Sequence, residues 1–153
     1  MRIRATGFVA APPEAVSARY RDVSRWPALF PTIEAARVLS RTHHCLTVQV
    51  THRDAGSVFN RLTWRSPRRI LLRESRRCFD AVFGNRFEAE GDGTRYTVEA
   101  VLRFRGRCRV LACVPARWRS LLIRRRLERY VLQPMRAAFD PACDGTHVRQ
   151  ADP

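Results

Sequence analysis

The 153-residue chain predicts an α+β fold, a curved antiparallel sheet of about seven strands wrapped around a long C-terminal helix, with two short helices after strand 1. Three observations carry this. From Ile33 to Arg105, short alternating segments rich in Val, Leu, Thr, Phe and Tyr are separated by turn-forming clusters, the pattern of an antiparallel meander. After Pro115 the apolar spacing lengthens to intervals of three and four, the period of a helix. Hydrophobic residues make up 45% of the chain, enough at this length for one buried core, which excludes disorder for the body of the chain.

Residues 2 to 10 read as an opening strand. Pro12-Pro13-Glu14 then starts a helix through Ala15, Val16 and Tyr20, because proline is tolerated in the first turn, where its missing N–H has no partner to lose. Ser24 is a candidate cap for a second short helix, Arg25 to Phe30, which Pro31 stops. The meander is punctuated by Asp54-Ala55-Gly56, Ser66-Pro67 and Gly91-Asp92-Gly93. Ser120, Ile123, Leu127, Tyr130, Pro134 and Ala138 trace one face of the long helix, and Pro134 is expected to kink it. The expected organisation is one ligand-binding domain over residues 1–140 and a flexible C-terminal tail over 141–153, where periodicity is lost.

All 29 basic residues are arginine, as in a GC-rich bacterial genome, and against 14 acids they leave a net charge of +15. Such a surface attracts phosphates, anionic headgroups or acidic partners. Cysteines 45, 78, 108, 113 and 143 form no Cys-x-x-Cys pair and suggest neither a disulfide framework nor a zinc cassette. Pro12 and Pro13 break the N-terminal apolar stretch too early for a signal peptide, and no apolar run is long enough to span a bilayer, so a cytoplasmic location is expected.

Four segments resemble the helix-grip superfamily (SRPBCC) of START-like lipid-binding proteins, polyketide cyclases and coenzyme Q-binding proteins. They are Ala11 to Val16, Asp22 to Pro31, the turn Glu90-Gly91-Asp92-Gly93-Thr94, and Arg126 to Met135. The resemblance implies a helix-grip fold with an internal hydrophobic cavity between sheet and helix. It also implies a more polar pocket at one level, since Asn85 stands where a tryptophan is often found.

Turn chemistry sets an expected register independently. With Asp92-Gly93 as a type I′ turn, Ala89 faces Tyr96, Phe87 faces Val98 and Asn85 faces Ala100. With Asp54-Ala55-Gly56 as a three-residue loop, Val48 faces Leu62 and Val50 faces Asn60. A turn at Ser66-Pro67-Arg68 pairs Trp64 with Ile70, Leu62 with Leu72 and Asn60 with Glu74, and a two-residue turn at Phe79-Asp80 would pair Glu74 with Asn85. Asn60 and Asn85 would then flank Glu74 in an otherwise apolar wall.

A buried carboxylate must be protonated, held by amides or paired with an arginine. Glu74 could therefore be an ion-pair partner of Arg76 or Arg124, a polar anchor for a ligand hydroxyl or carbonyl, or, with Tyr96, a catalytic acid or base. The Tyr96 hydroxyl, placed in a cavity, needs a partner that a ligand could provide. The remaining candidate ligand-binding residues are Trp26, Phe30, Asn60, Leu62, Trp64, Leu72, Asn85, Phe87, Val98, Ile123, Leu127 and Tyr130. His43, His44 and His52 lack metal-site spacing, and no Ser-His-Asp grouping, phosphate loop or dinucleotide fingerprint occurs, so neither metal nor cofactor is expected.

Ten arginines and one acid, Glu128, lie between Arg103 and Arg129. This stretch suits a solvated helix face, docking on an anionic membrane surface, or an acidic carrier protein. Nucleic acid is disfavoured, because no aromatic stacking platform accompanies the charge. The expected function is binding of a lipid, quinone or polyketide-like molecule in the cavity. The alternatives are a cofactor-free polyketide cyclase or aromatase acting on a poly-carbonyl chain, and a protein- or ribosome-binding module using the basic helix.

Overall fold

The computed structural model describes residues 1–106 and 113–140. The expected tail, 141–153, and Arg107 and Arg109 of the basic stretch lie outside these residues. Strands β1 (Arg2–Val9), β2 (Ile33–Thr42), β3 (Cys45–His52), β4 (Gly56–Ser66), β5 (Arg69–Ser75), β6 (Phe79–Glu90) and β7 (Gly93–Phe104) form one open antiparallel sheet. Their order is β1-β7-β6-β5-β4-β3-β2. Period-two alternation places Ile3, Ala5 and Val9 of β1 inside and Arg2 and Arg4 outside, and the same parity runs across the sheet. The edge strand β2 is mostly exposed and carries Arg37 and Arg41, charges that discourage pairing with another chain.

Helix α1 (Pro13–Arg21) buries Val16, Ser17 and Tyr20 against β6 and β7. A 3₁₀ turn (Val23–Arg25) leads into α2 (Trp26–Leu29). Ser24, expected as a cap, bonds the Asp22 carboxylate instead, and no side chain caps α2. The Trp26 indole N–H donates to the Tyr20 carbonyl at 2.8 Å, satisfying an oxygen that the end of α1 would otherwise leave unpaired.

The long helix comprises α3 (Ala116–Leu127), a π turn (Glu128–Leu132) and α4 (Gln133–Ala137). Pro134 has no N–H to give the carbonyl of Tyr130, and its ring would crowd that oxygen in an α-helix; the π turn relieves both conflicts. A π turn also inserts one extra residue, so the buried face advances. Leu127 is followed by Leu132 and Met135 in the core, instead of Tyr130, Pro134 and Ala138. Among the described residues, no helix is long and apolar enough to cross a membrane.

Three of the four expected registers are corrected. Phe87 pairs with Tyr96 and Asn85 with Val98, because the turn residues are Gly91-Asp92 rather than Asp92-Gly93. Gly91 has φ +58°, as the first central residue of a II′-like turn requires. Gly93 is a glycine for another reason: it lies in β7 against β1, where a Cβ would overlap the Val9 carbonyl oxygen and the Phe8 ring. On β3–β4, His52 pairs with Gly56, so Val48 faces Asn60 and Leu46 faces Leu62. Both shifts are of two residues, which leaves every side chain on its expected face. The β4–β5 pairs, including Asn60 with Glu74, stand as expected.

The β5–β6 hairpin turns at Arg77-Cys78, four residues of register from expectation. Glu74 therefore pairs with Ala81, and Asn85 pairs with Ile70. Neither turn residue is a turn former, so composition could not locate this hairpin. Asp80, a turn residue in the expected register, instead lies in β6, accepts from Ser75 Oγ at 2.8 Å and pairs with Arg105.

Candidate functional site

Between the concave face of the sheet and the helices lies a half-open cavity of about 820 Å³. Of the residues expected to form it, Trp26, Phe30, Asn60, Leu72, Glu74, Asn85, Val98, Ile123, Leu127 and Tyr130 line its walls. Leu62, Trp64, Phe87 and Tyr96 do not. Their close packing, much of it against α1, accounts for these four. Leu62 is fully buried, and Trp64 lies under the guanidinium of Arg21 on α1, 5.6 Å from ring centroid to Cζ. Phe87 and Tyr96 are cross-strand neighbours stacked at 4.8 Å and covered by Tyr20 of α1.

The end of the cavity under α1 and α2 is closed by aromatic rings. Tyr20 contacts Trp26 at 5.9 Å and Phe30 at 6.2 Å, and all three line the cavity. Within this end, the Tyr96 hydroxyl donates to Asn85 Oδ1 at 2.7 Å, and Asn85 Nδ2 donates to the Tyr20 hydroxyl at 3.1 Å. The Tyr96 hydroxyl, for which a ligand was one possible partner, thus has a protein partner. Burial pushes both phenols well above their ordinary range, so both stay protonated at neutral pH.

The opposite end is more polar. Phe79, Phe83 and Phe104 line it, with Phe79 and Phe104 edge-to-face at 6.5 Å. Glu74 is paired with Arg76, one of the expected outcomes; Arg124, the other arginine considered, bonds Glu128 at 3.0 Å. Asn60, directly across from Glu74, is 3% exposed, and its Oδ1 has no hydrogen-bond partner among the described residues. His52 lines the same wall, with Nε2 buried and likewise without a partner. Burial, and then the charge of Arg76, hold its imidazole below the ordinary 6.5, so it is neutral at pH 7. This end can therefore accept hydrogen bonds from a guest at Asn60, with the Arg76 cation, neutralised by Glu74, alongside.

Several lining residues were missed although the signal was present. Continuing the inward parity of β6 past Asn85 reaches Phe83 and Phe79, and that of β7 past Ala100 reaches Leu102 and Phe104. His52, weighed only as a metal ligand, shares the inward parity of Val48 and Val50. Arg119 and Arg126 on α3 carry no comparable signal, because they are two among the many arginines of this helix and nothing local sets them apart.

Residues 9–129 match the family described as polyketide cyclase/dehydrase and lipid transport. A START superfamily protein of Mycobacterium smegmatis superposes with a TM-score of 0.73 over 90% of this chain and 96% of its own, at 16% identity. A protein of Thermus thermophilus superposes with a TM-score of 0.73 over 89% and 94%, at 17% identity. The Zhui aromatase/cyclase of Streptomyces sp. R1128 gives a TM-score of 0.62 over 88% and 86%, at 21% identity. No curated protein matches in sequence.

Proposed function

Because the chain belongs to the polyketide cyclase/dehydrase and lipid transport family, we propose that it binds one hydrophobic small molecule of lipid, quinone or polyketide type in the cavity between sheet and helix. The supporting observation is the cavity itself: its volume of about 820 Å³ lies within the range of small-molecule sites, and its walls are mainly aromatic and aliphatic with a few convergent polar groups. Native mass spectrometry of protein purified from its own host tests this. A retained molecule of defined mass, displaced by an apolar fluorescent probe, is the expected result; an empty protein that binds no probe overturns the reading.

The cyclase alternative is separated by Glu74→Gln, which keeps the shape of the cavity wall and removes the ionisable group. Carriage predicts nearly unchanged probe binding and no turnover to lose. Proton transfer predicts retained binding with turnover of a poly-carbonyl substrate reduced about 10²-fold or more.

For delivery, the partner surface is an anionic membrane met by α3. Trp118, Leu121 and Leu122 are exposed on this helix among Arg117, Arg124 and Arg125, and Leu122 and Arg126 also line the cavity. Apolar side chains can enter the headgroup boundary while arginines near the surface each add about 1 kcal/mol. Binding to phosphatidylserine-containing liposomes that falls steeply with salt supports this; equal binding to neutral liposomes excludes it.

A further inference from the structure

We propose that Tyr20 presents its hydroxyl proton to the bound molecule, so that the cavity prefers ligands with an acceptor oxygen, such as a ketone or quinone carbonyl, at their deeply buried end. This rests on the ligand-binding reading above and adds the polarity and orientation of the guest. The direction of the hydrogen bonds carries it. Asn85 Nδ2 lies 3.4 Å and 3.5 Å from the carbonyl oxygens of Ile70 and Phe83, which can only accept. These carbonyls fix which end of the amide is the donor. Asn85 Oδ1 must then accept, and it does so from Tyr96 at 2.7 Å. Asn85 Nδ2 in turn donates to the Tyr20 oxygen at 3.1 Å.

The chain Tyr96 to Asn85 to Tyr20 thus runs one way, from the sheet interior to the cavity. Its last oxygen has accepted a hydrogen bond and still carries its own proton, for which no acceptor exists among the described residues. Tyr20 is 4% exposed, so bulk water is a poor partner for that proton, and Tyr20 lines the cavity whereas Tyr96 does not. A hydroxyl that accepts a hydrogen bond is polarised into a better donor. Contacts with Trp26, Phe30, Phe87 and Tyr96 hold the ring in place, so little ordering cost remains when a ligand arrives. At the opposite end Asn60 offers an unpartnered acceptor and the nearby Arg76 is already paired with Glu74, whereas at the aromatic end the Tyr20 proton is the donor left over.

The test compares two probes that differ by one oxygen, 2-acetylanthracene and 2-ethylanthracene, titrated by fluorescence into wild-type protein and Tyr20→Phe. The expected result is a loss of about 10-fold in affinity for the acetyl probe in the variant, with the ethyl probe changed by less than about 2-fold. A second reading needs no variant: the infrared carbonyl stretch of ¹³C-labelled acetyl probe bound to wild-type protein should lie below its position in hexane. A carbonyl stretch at the hexane position, or equal loss of both probes in Tyr20→Phe, overturns the role of Tyr20 while leaving the cavity reading intact. Failure of both probes to bind wild-type protein overturns both.

Discussion

The two ends of the cavity share one sheet and one alternation of side chains, yet they differ in what covers them. Under α1 and α2, five aromatic rings contact one another, and Asn85 ties two of their hydroxyls together. Toward the open end, Phe79, Phe83 and Phe104 are only partly buried, and Asn60 Oδ1 and His52 Nε2, the latter on the strand paired with Ile33, lack partners. A packed, hydrogen-bonded end contributes stability. A loosely covered end with unspent polar groups gives up stability and is suited to receiving a guest.

The largest effect expected from this contrast is on packing. Phe87→Ala at the closed end should cost about 3–5 kcal/mol in urea denaturation, since a fully buried ring leaves a void that its neighbours cannot fill. Phe79→Ala at the open end should cost no more than about half of that, because its ring already borders the cavity. Equal losses would break the comparison. Next is Asn85→Ala, which strands two buried tyrosine hydroxyls and should cost about 2–3 kcal/mol by the same measurement.

Asn60→Leu should move in the other direction. Its buried Oδ1 makes no hydrogen bond, so removing it should leave stability unchanged or raise it by up to about 1 kcal/mol. A substantial loss would show that Asn60 is structural and that the two ends are alike in this respect.

The smallest effect is a pH dependence specific to the open end. The imidazole of His52 is held below its ordinary 6.5 in the folded protein, so the unfolded chain binds more protons as pH falls through that value. Stability from this source is complete above about pH 6.5 and is lost on acidification toward the lowered folded value. Melting temperature should therefore decline between about pH 7.5 and 5.5, and His52→Gln should flatten that decline. The carboxyls of Glu14, Asp80 and Glu90, held below their ordinary range mainly by hydrogen bonds from Arg68, Arg105 and Arg95, lose their contribution only at lower pH. An unchanged pH profile in His52→Gln would remove His52 from the account.

Sequence periodicity by itself determined the strand and helix order, the inward face of each strand and the opening of α1 at Pro12-Pro13, because these depend on local spacing and backbone chemistry. Where register slipped by two residues, the inward face was unaffected. The Asn60–Glu74 pair was legible because a Ser66-Pro67 turn leaves few alternatives, whereas the Arg77-Cys78 turn carries no signal, and Glu74 and Asn85 consequently separated to different levels of the cavity. Tertiary structure alone decided which inward residues meet open space. That choice belongs to the covering helices: α1 brings Tyr20 over Phe87 and Tyr96 and seals that end, and α3 crosses the other end without filling it. A strand's alternation selects a face, but the helix packed on that face determines whether a side chain there touches another ring, an arginine or a cavity.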